Sequence, residues 1–105
     1  MIQIERGVPF AATNSGGPAT ATQTGVAKQS IYVTDVSGSS DLSTATLSVK
    51  DGTTVIWEEK IGNTMPYQHT FAVPLKITSG ANASVVVTAT ITAYANIAGV
   101  IIDDN

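Results

Sequence analysis

The chain has no cysteine, one histidine and one tryptophan, and only 12% of its 105 residues are charged. The missing cysteine excludes disulfides and thiolate metal sites. His69 stands alone, with no serine motif beside it, so a hydrolytic triad would need a chance convergence in space. No run approaches the roughly 20 uncharged apolar residues of a membrane helix. The longest mild candidate, residues 85–102, is full of Thr and Ala and alternates. Five Lys and Arg against eight Asp and Glu leave a net charge of -3, too few cations to displace the condensed counterions of a nucleic acid. The opening MIQIERGVPF places Glu5 and Arg6 where an export signal needs an apolar run, so no signal peptide is expected and the chain is expected to be made in the cytoplasm.

What is present is Thr, Ser, Ala and Gly in place of the Lys and Glu that usually solvate a cytosolic surface. Short hydroxylated side chains lose little entropy and little hydration when covered, so such faces suit close contact with other chains. A length of 105 residues corresponds to one domain with a single core.

The text divides into strands by turn chemistry. Residues 1–26 include the low-complexity AATNSGGPATATQTGV and are read as an extended N-terminal arm with strand character near 19–24. Residues 27–105 are read as the folded domain. QSIYVTDV at 29–36 is β-branched and aromatic, hence a strand, and SGSSD at 37–41 reads as a loop. Residues 46–50 and 53–61 flank Asp51-Gly52, the signal for a type I′ hairpin. Residues 67–77 set Phe71, Val73, Leu75 and Ile77 on one face, and Pro74 marks an edge or a bulge. Residues 85–94 read as one long alternating strand, and 97–102 as the last. With no helical periodicity, about seven to eight strands predict an all-β fold: a single antiparallel sandwich, jelly-roll or immunoglobulin-like.

Five charged residues crowd into KDGTTVIWEEKIGN at 50–63: Lys50, Asp51, Glu58, Glu59 and Lys60. Alternation sends Val55 and Trp57 toward the core and lets Glu59 reach water as the strand leaves it. Charges at such ends discourage edge-to-edge pairing. Adjacent strand residues point to opposite faces, so Glu58 and Glu59 cannot flank one glycosidic bond. Asp35, Asp41, Asp103 and Asp104 have no calcium-loop spacing. Trp57, Tyr67 and Tyr94 are candidates for a sugar-stacking platform, against which stands the core-facing register of Trp57. No catalytic, metal or cofactor residue is assigned. The candidate partner contacts are Ile2, Ile4, Val8 and Phe10, as apolar anchors of an arm able to add a strand to a partner's sheet, and Ile56 on the hairpin's outer side.

IYVTDVSGSSDLSTATLSVKDGTTVIWEEKIG followed by MPYQHTFAVPLKITSGANASVVVTATITAYANIAGVII resembles small β-sandwich structural proteins of tailed bacteriophages, of the head decoration or cement type. The likeness spans residues 30–102 and rests on the I-Y-V-T-D strand, the D-G hairpin leading to V-I-W, the F-x-V-P-L strand and the closing A-N-I-A-G-V-I-I. It implies no enzymatic activity, no cofactor, and attachment to the outer surface of an assembled capsid as a homo-oligomer, a trimer or dimer that reinforces joints between major capsid protein subunits. The implied location is the virion, and the leading segment would lie along the coat. The alternatives are a tail, fibre or adaptor module of the virion and a carbohydrate- or cell-surface-binding sandwich.

Overall fold

A computed structural model describes residues 7–62 and 65–104. Eight strands follow one another: β1 (Val8–Gly16), β2 (Ala19–Gln23), β3 (Gln29–Ser40), β4 (Thr46–Asp51), β5 (Thr54–Lys60), β6 (Tyr67–Lys76), β7 (Ala83–Val87) and β8 (Ala93–Asp103). They form two four-stranded sheets, β1-β8-β3-β6 and β2-β7-β4-β5. The pairs β1·β8, β2·β7, β3·β6 and β4·β5 are all antiparallel and nest one inside the next, alternating between sheets. That nesting is a jelly roll, and it resolves the choice between the two expected sandwich topologies.

The two sheets face each other across an aliphatic core. Leu47, Val49, Val85 and Val87 come from one sheet; Ile31, Val33, Val36 and Ile97 come from the other, and all are buried. In β3 the inward set switches from odd to even numbers because the ladder shifts between Val33 and Asp35, leaving Thr34 as the extra residue.

Residues 8–23 belong to this sandwich, which corrects the arm assignment over that span. Nine residues of β1 pair with β8 and five of β2 pair with β7. Ala19 and Ala21 are fully buried, and Phe10 and Ala12 pack against the core. Ile2 and Ile4 lie outside the described residues.

Other boundaries move for identifiable reasons. The expected loop at 37–41 is strand as far as Ser40. The expected strand at 85–94 is two strands, with residues 88–92 crossing from one sheet to the other. The crossing is held by polar groups: the Asp41 carboxylate accepts the amides of Thr90 (3.0 Å) and Ile91 (2.9 Å), and Ser40 Oγ donates to the Thr88 carbonyl at 2.6 Å. Ile91, which alternation would place on the same face as Val85 and Val87, is 76% exposed while those two are fully buried. The hairpin loop is Gly52-Thr53, one residue later than expected. Positive φ occurs at Gly52 (62°) and not at Thr53, the type II′ pattern in place of type I′.

Candidate partner-binding surface

The sandwich is closed differently along its two long sides. On one side β1 and β2 lie close together, and the Asn14 side-chain amide donates to the Thr20 carbonyl at 2.7 Å. On the other, the edge strands β5 and β6 meet through rings. Trp57 stands opposite Val49 and points inward. Its ring centroid lies 4.9 Å from that of His69 and 5.2 Å from that of Phe71, the latter edge-on. His69 meets Phe71 at 4.7 Å and stacks against Tyr67 at 6.4 Å. Tyr67 Oη and His69 Nδ1 are 3.4 Å apart. Burial, and secondarily the negative charge of Glu59, push the Tyr67 hydroxyl above its ordinary pKa, so it stays protonated through neutral pH.

Apolar side chains project to water around this aromatic seam. A one-residue bulge in β5 pairs Val49 with Trp57 but Lys50 with Val55, so Val55 leaves the core side and is 48% exposed. The inward placement expected for Val55 is thereby corrected, while that of Trp57 holds. Ile56, within the bulge, is 40% exposed. In β6 the ladder jumps from Thr70 to Leu75, so residues 71–74 face Thr34 alone and Val73 turns outward. Met65, just before β6, is also exposed. The expectation that Val73 shares one face with Phe71, Leu75 and Ile77 therefore fails at the irregularity that Pro74 announces.

The expected contact residues are not gathered in one place. Val8 begins β1 and is exposed; Phe10 is half-buried against its own core; Ile56 lies on β5, at the far edge of the other sheet. Reasoning from alternation missed Val73 and Met65, although the Val73-Pro74 step carried a legible sign of a bulge.

The polar residues are committed locally. Asp35 accepts hydroxyls from Thr34 (2.8 Å) and Thr70 (2.7 Å), and Asp103 accepts the Gln29 side-chain amide at 2.9 Å. Asp51 accepts the amide and hydroxyl of Thr78. Glu58 accepts from Ser48 at 2.8 Å, on the outer face. Among the described residues no group of three or more His, Asp or Glu is placed to share a metal ion. A shallow depression of about 110 Å3 on the outer face of the β1-β8-β3-β6 sheet, lined by Ala11, Thr13, Asp35, Ser37, Asn96 and Ala98, is smaller than the roughly 300–1,000 Å3 typical of small-molecule sites.

Asp104 offers a pH test of this local pairing. Hydrogen bonds donated by the hydroxyls of Ser79 and Ser30 hold its carboxyl below the ordinary 3.8, with Lys76 assisting and partial burial opposing. The native state thus prefers the ionised form, so its contribution is complete above the ordinary value and fades as pH falls through the lowered one. Thermal unfolding followed between pH 7 and 2 should show Asp104→Asn less stable than the parent at pH 7, with the gap closing below pH 3.8. A gap independent of pH would mean that the ionised carboxylate has no such role.

Comparison with known proteins adds little beyond this geometry. No family model matches the chain, and no curated protein matches it. Among solved structures, the insecticidal delta-endotoxin Cry8Ea1 from Bacillus thuringiensis aligns over 92% of this chain and 20% of its own length, at 13% identity and a TM-score of 0.44. The chain thus spans a fifth of that toxin's length. Among the described residues, no helix is long and apolar enough to cross a membrane.

Proposed function

We propose that the protein is a structural component of a bacteriophage virion, a decoration protein seated on the outer capsid surface. The observation that carries this reading is the β5/β6 side, where Val55, Ile56, Met65 and Val73 are exposed around a half-buried aromatic seam. Exposed apolar side chains on both edge strands, beside shallow relief, suit a macromolecular partner better than a small ligand. The resemblance of the strand and turn text to decoration proteins supports a coat subunit as the partner, contacted many times per particle. Repetition over a shell allows each contact to be modest. The bulges and the charges Glu58, Glu59 and Lys60 keep these same edges from pairing with stray strands, so side chains make the contact and the backbone does not.

The sugar-platform alternative has less support, because the rings it requires are engaged with one another. Trp57 is covered by His69 and Phe71, and the exposed Tyr94 lies on β8 in the other sheet, opposite Ser15 and Ser39.

Quantitative mass spectrometry of particles purified from cells that carry the gene tests the reading. Hundreds of copies per particle are expected of a decoration protein. A handful would move the chain to the tail, a fibre or an adaptor, and absence from the particles would overturn the virion reading altogether.

A further inference from the structure

Of the four edge strands, three are blunted. β6 is interrupted by its bulge and Pro74, and carries Lys76; β5 has a bulge and three charged residues; β2 is five residues long, with its Thr20 carbonyl occupied by the Asn14 side-chain amide at 2.7 Å. β1 differs. It runs nine residues, and no charged residue occurs between Arg6 and Lys28. Long, uncharged edges of this kind are what proteins normally guard against.

The direction of its free backbone groups follows from three observations. The Asp104 amide donates to the Lys28 carbonyl of the β3 side, so even-numbered residues of β8 turn toward β3 and odd-numbered ones toward β1. The unbroken β1·β8 register pairs those odd residues with Val8, Phe10, Ala12, Asn14 and Gly16. Residues 9, 11, 13 and 15 therefore turn outward. Pro9, which has no amide to donate, and Ser15, whose amide is taken by Asn14 Oδ1 at 2.9 Å, agree with that assignment. Among the described residues, what remains free is the amide and carbonyl of Ala11 and of Thr13, with the carbonyls alone of Pro9 at one end and of the clipped Ser15 at the other.

This set is its own complement. Two β1 strands laid antiparallel about an axis at Ala12 place Ala11 opposite Thr13 of the second copy, and Thr13 opposite its Ala11. Each of these pairs exchanges two hydrogen bonds. Pro9, lacking a donor, falls opposite Ser15 of the second copy, whose donor is already used, so no amide is stranded at either end. The outward-turned residues are Pro, Ala, Thr and Ser, small enough for close backbone approach, and no like charges face each other. We propose that β1 is the edge through which two copies of this chain join, antiparallel and two-fold symmetric at Ala12, into one continuous eight-stranded sheet. The pairing does not depend on the virion reading, and it leaves the β5/β6 side free on both copies.

The absence of native cysteine permits a register-specific test. Residues directly opposite in a hydrogen-bonded antiparallel pair have Cα atoms about 5.5 Å apart, within disulfide reach. Chains carrying Ala11→Cys and chains carrying Thr13→Cys, mixed at roughly 1 mM and oxidised, should give a mixed disulfide dimer as the dominant product, while either variant alone should give little. Self-crosslinking that equals the mixed product, or no crosslink at all, overturns the proposal. In parallel, Thr13→Pro removes an outward amide that β8 does not use. Sedimentation should show the parent associating with rising concentration and this variant monomeric, with the unfolding temperature nearly unchanged. Association of the variant equal to that of the parent, or a parent that stays monomeric, overturns the proposal equally.

Discussion

Removing residues 1–23 should abolish cooperative folding. The deletion takes away both β1 and β2, one edge from each sheet. Ala21 lies opposite Val85 and Ala19 opposite Val87, while Ala12 lies opposite Ile97. All three aliphatic partners are fully buried in the intact chain. Uncovering even half of each costs about 3 kcal/mol in total, taking roughly 1.5–3 kcal/mol for a fully buried Val or Ile. The half-buried ring of Phe10 and two backbone ladders are lost as well. Against a domain stability of roughly 5–15 kcal/mol, the remainder does not hold. Far-ultraviolet circular dichroism during heating provides the measurement. A sharp transition in the 1–23 deletion would mean that these strands are an appendage after all, as the sequence alone suggested.

The misreading of that segment has a physical origin. AATNSGGPATATQTGV has the composition of a linker because its buried positions are alanines, and alanine signals burial weakly. Ala19 and Ala21 are small because they lie opposite Val87 and Val85, where little space is left over. By contrast, the fold class was legible in the β-branched runs of β3, β7 and β8 and in the turn residues between them. The hairpin at Gly52 was legible to within one residue. Strand 67–76 was placed within one residue of its true end, and Pro74 correctly announced the edge and its bulge.

What alternation cannot show is where its own phase slips. One extra residue in β5 and several in β6 exchange inside for outside, which is how Val55 and Val73 come to the surface. Nor does alternation report a change of sheet: VVVTATITAY at 85–94 reads as one strand whether or not residues 88–92 cross over. The deciding contact is Asp41 reaching the amides of Thr90 and Ile91, about fifty residues away in the chain. The candidate surface was thus only partly legible. Ile56 was found by its outward phase, whereas Val73 and Met65 required the bulge and the neighbouring strand to be in place.

Gly38 is the other place where local chemistry misleads, and it carries the second large effect. In SGSSD a glycine reads as loop. In the structure it is buried in β3, paired with Ala95 on one side and Tyr67 on the other. A Cβ at this position would meet Val87 Cγ2 at 2.7 Å, the Tyr94 carbonyl oxygen at 2.8 Å and Leu47 Cδ1 at 3.3 Å. Val87 and Leu47 are completely buried and belong to the facing sheet, and the carbonyl is backbone, so none of the three yields cheaply. Overpacking of this kind costs about 1–3 kcal/mol, and the backbone clash puts Gly38→Ala toward the upper end. Alanine's advantage over glycine within a strand returns roughly 0.5–1 kcal/mol. The net loss is about 2 kcal/mol, which in a chain of this length lowers the unfolding temperature by roughly 10 °C. Gly38→Val, with two further methyl groups and the same immovable neighbours, should lose more, although valine is the better strand former. If both variants melt at or above the parent's temperature, the sheets are not in close contact at this point, and Gly38 is the loop glycine that its neighbours in sequence suggest.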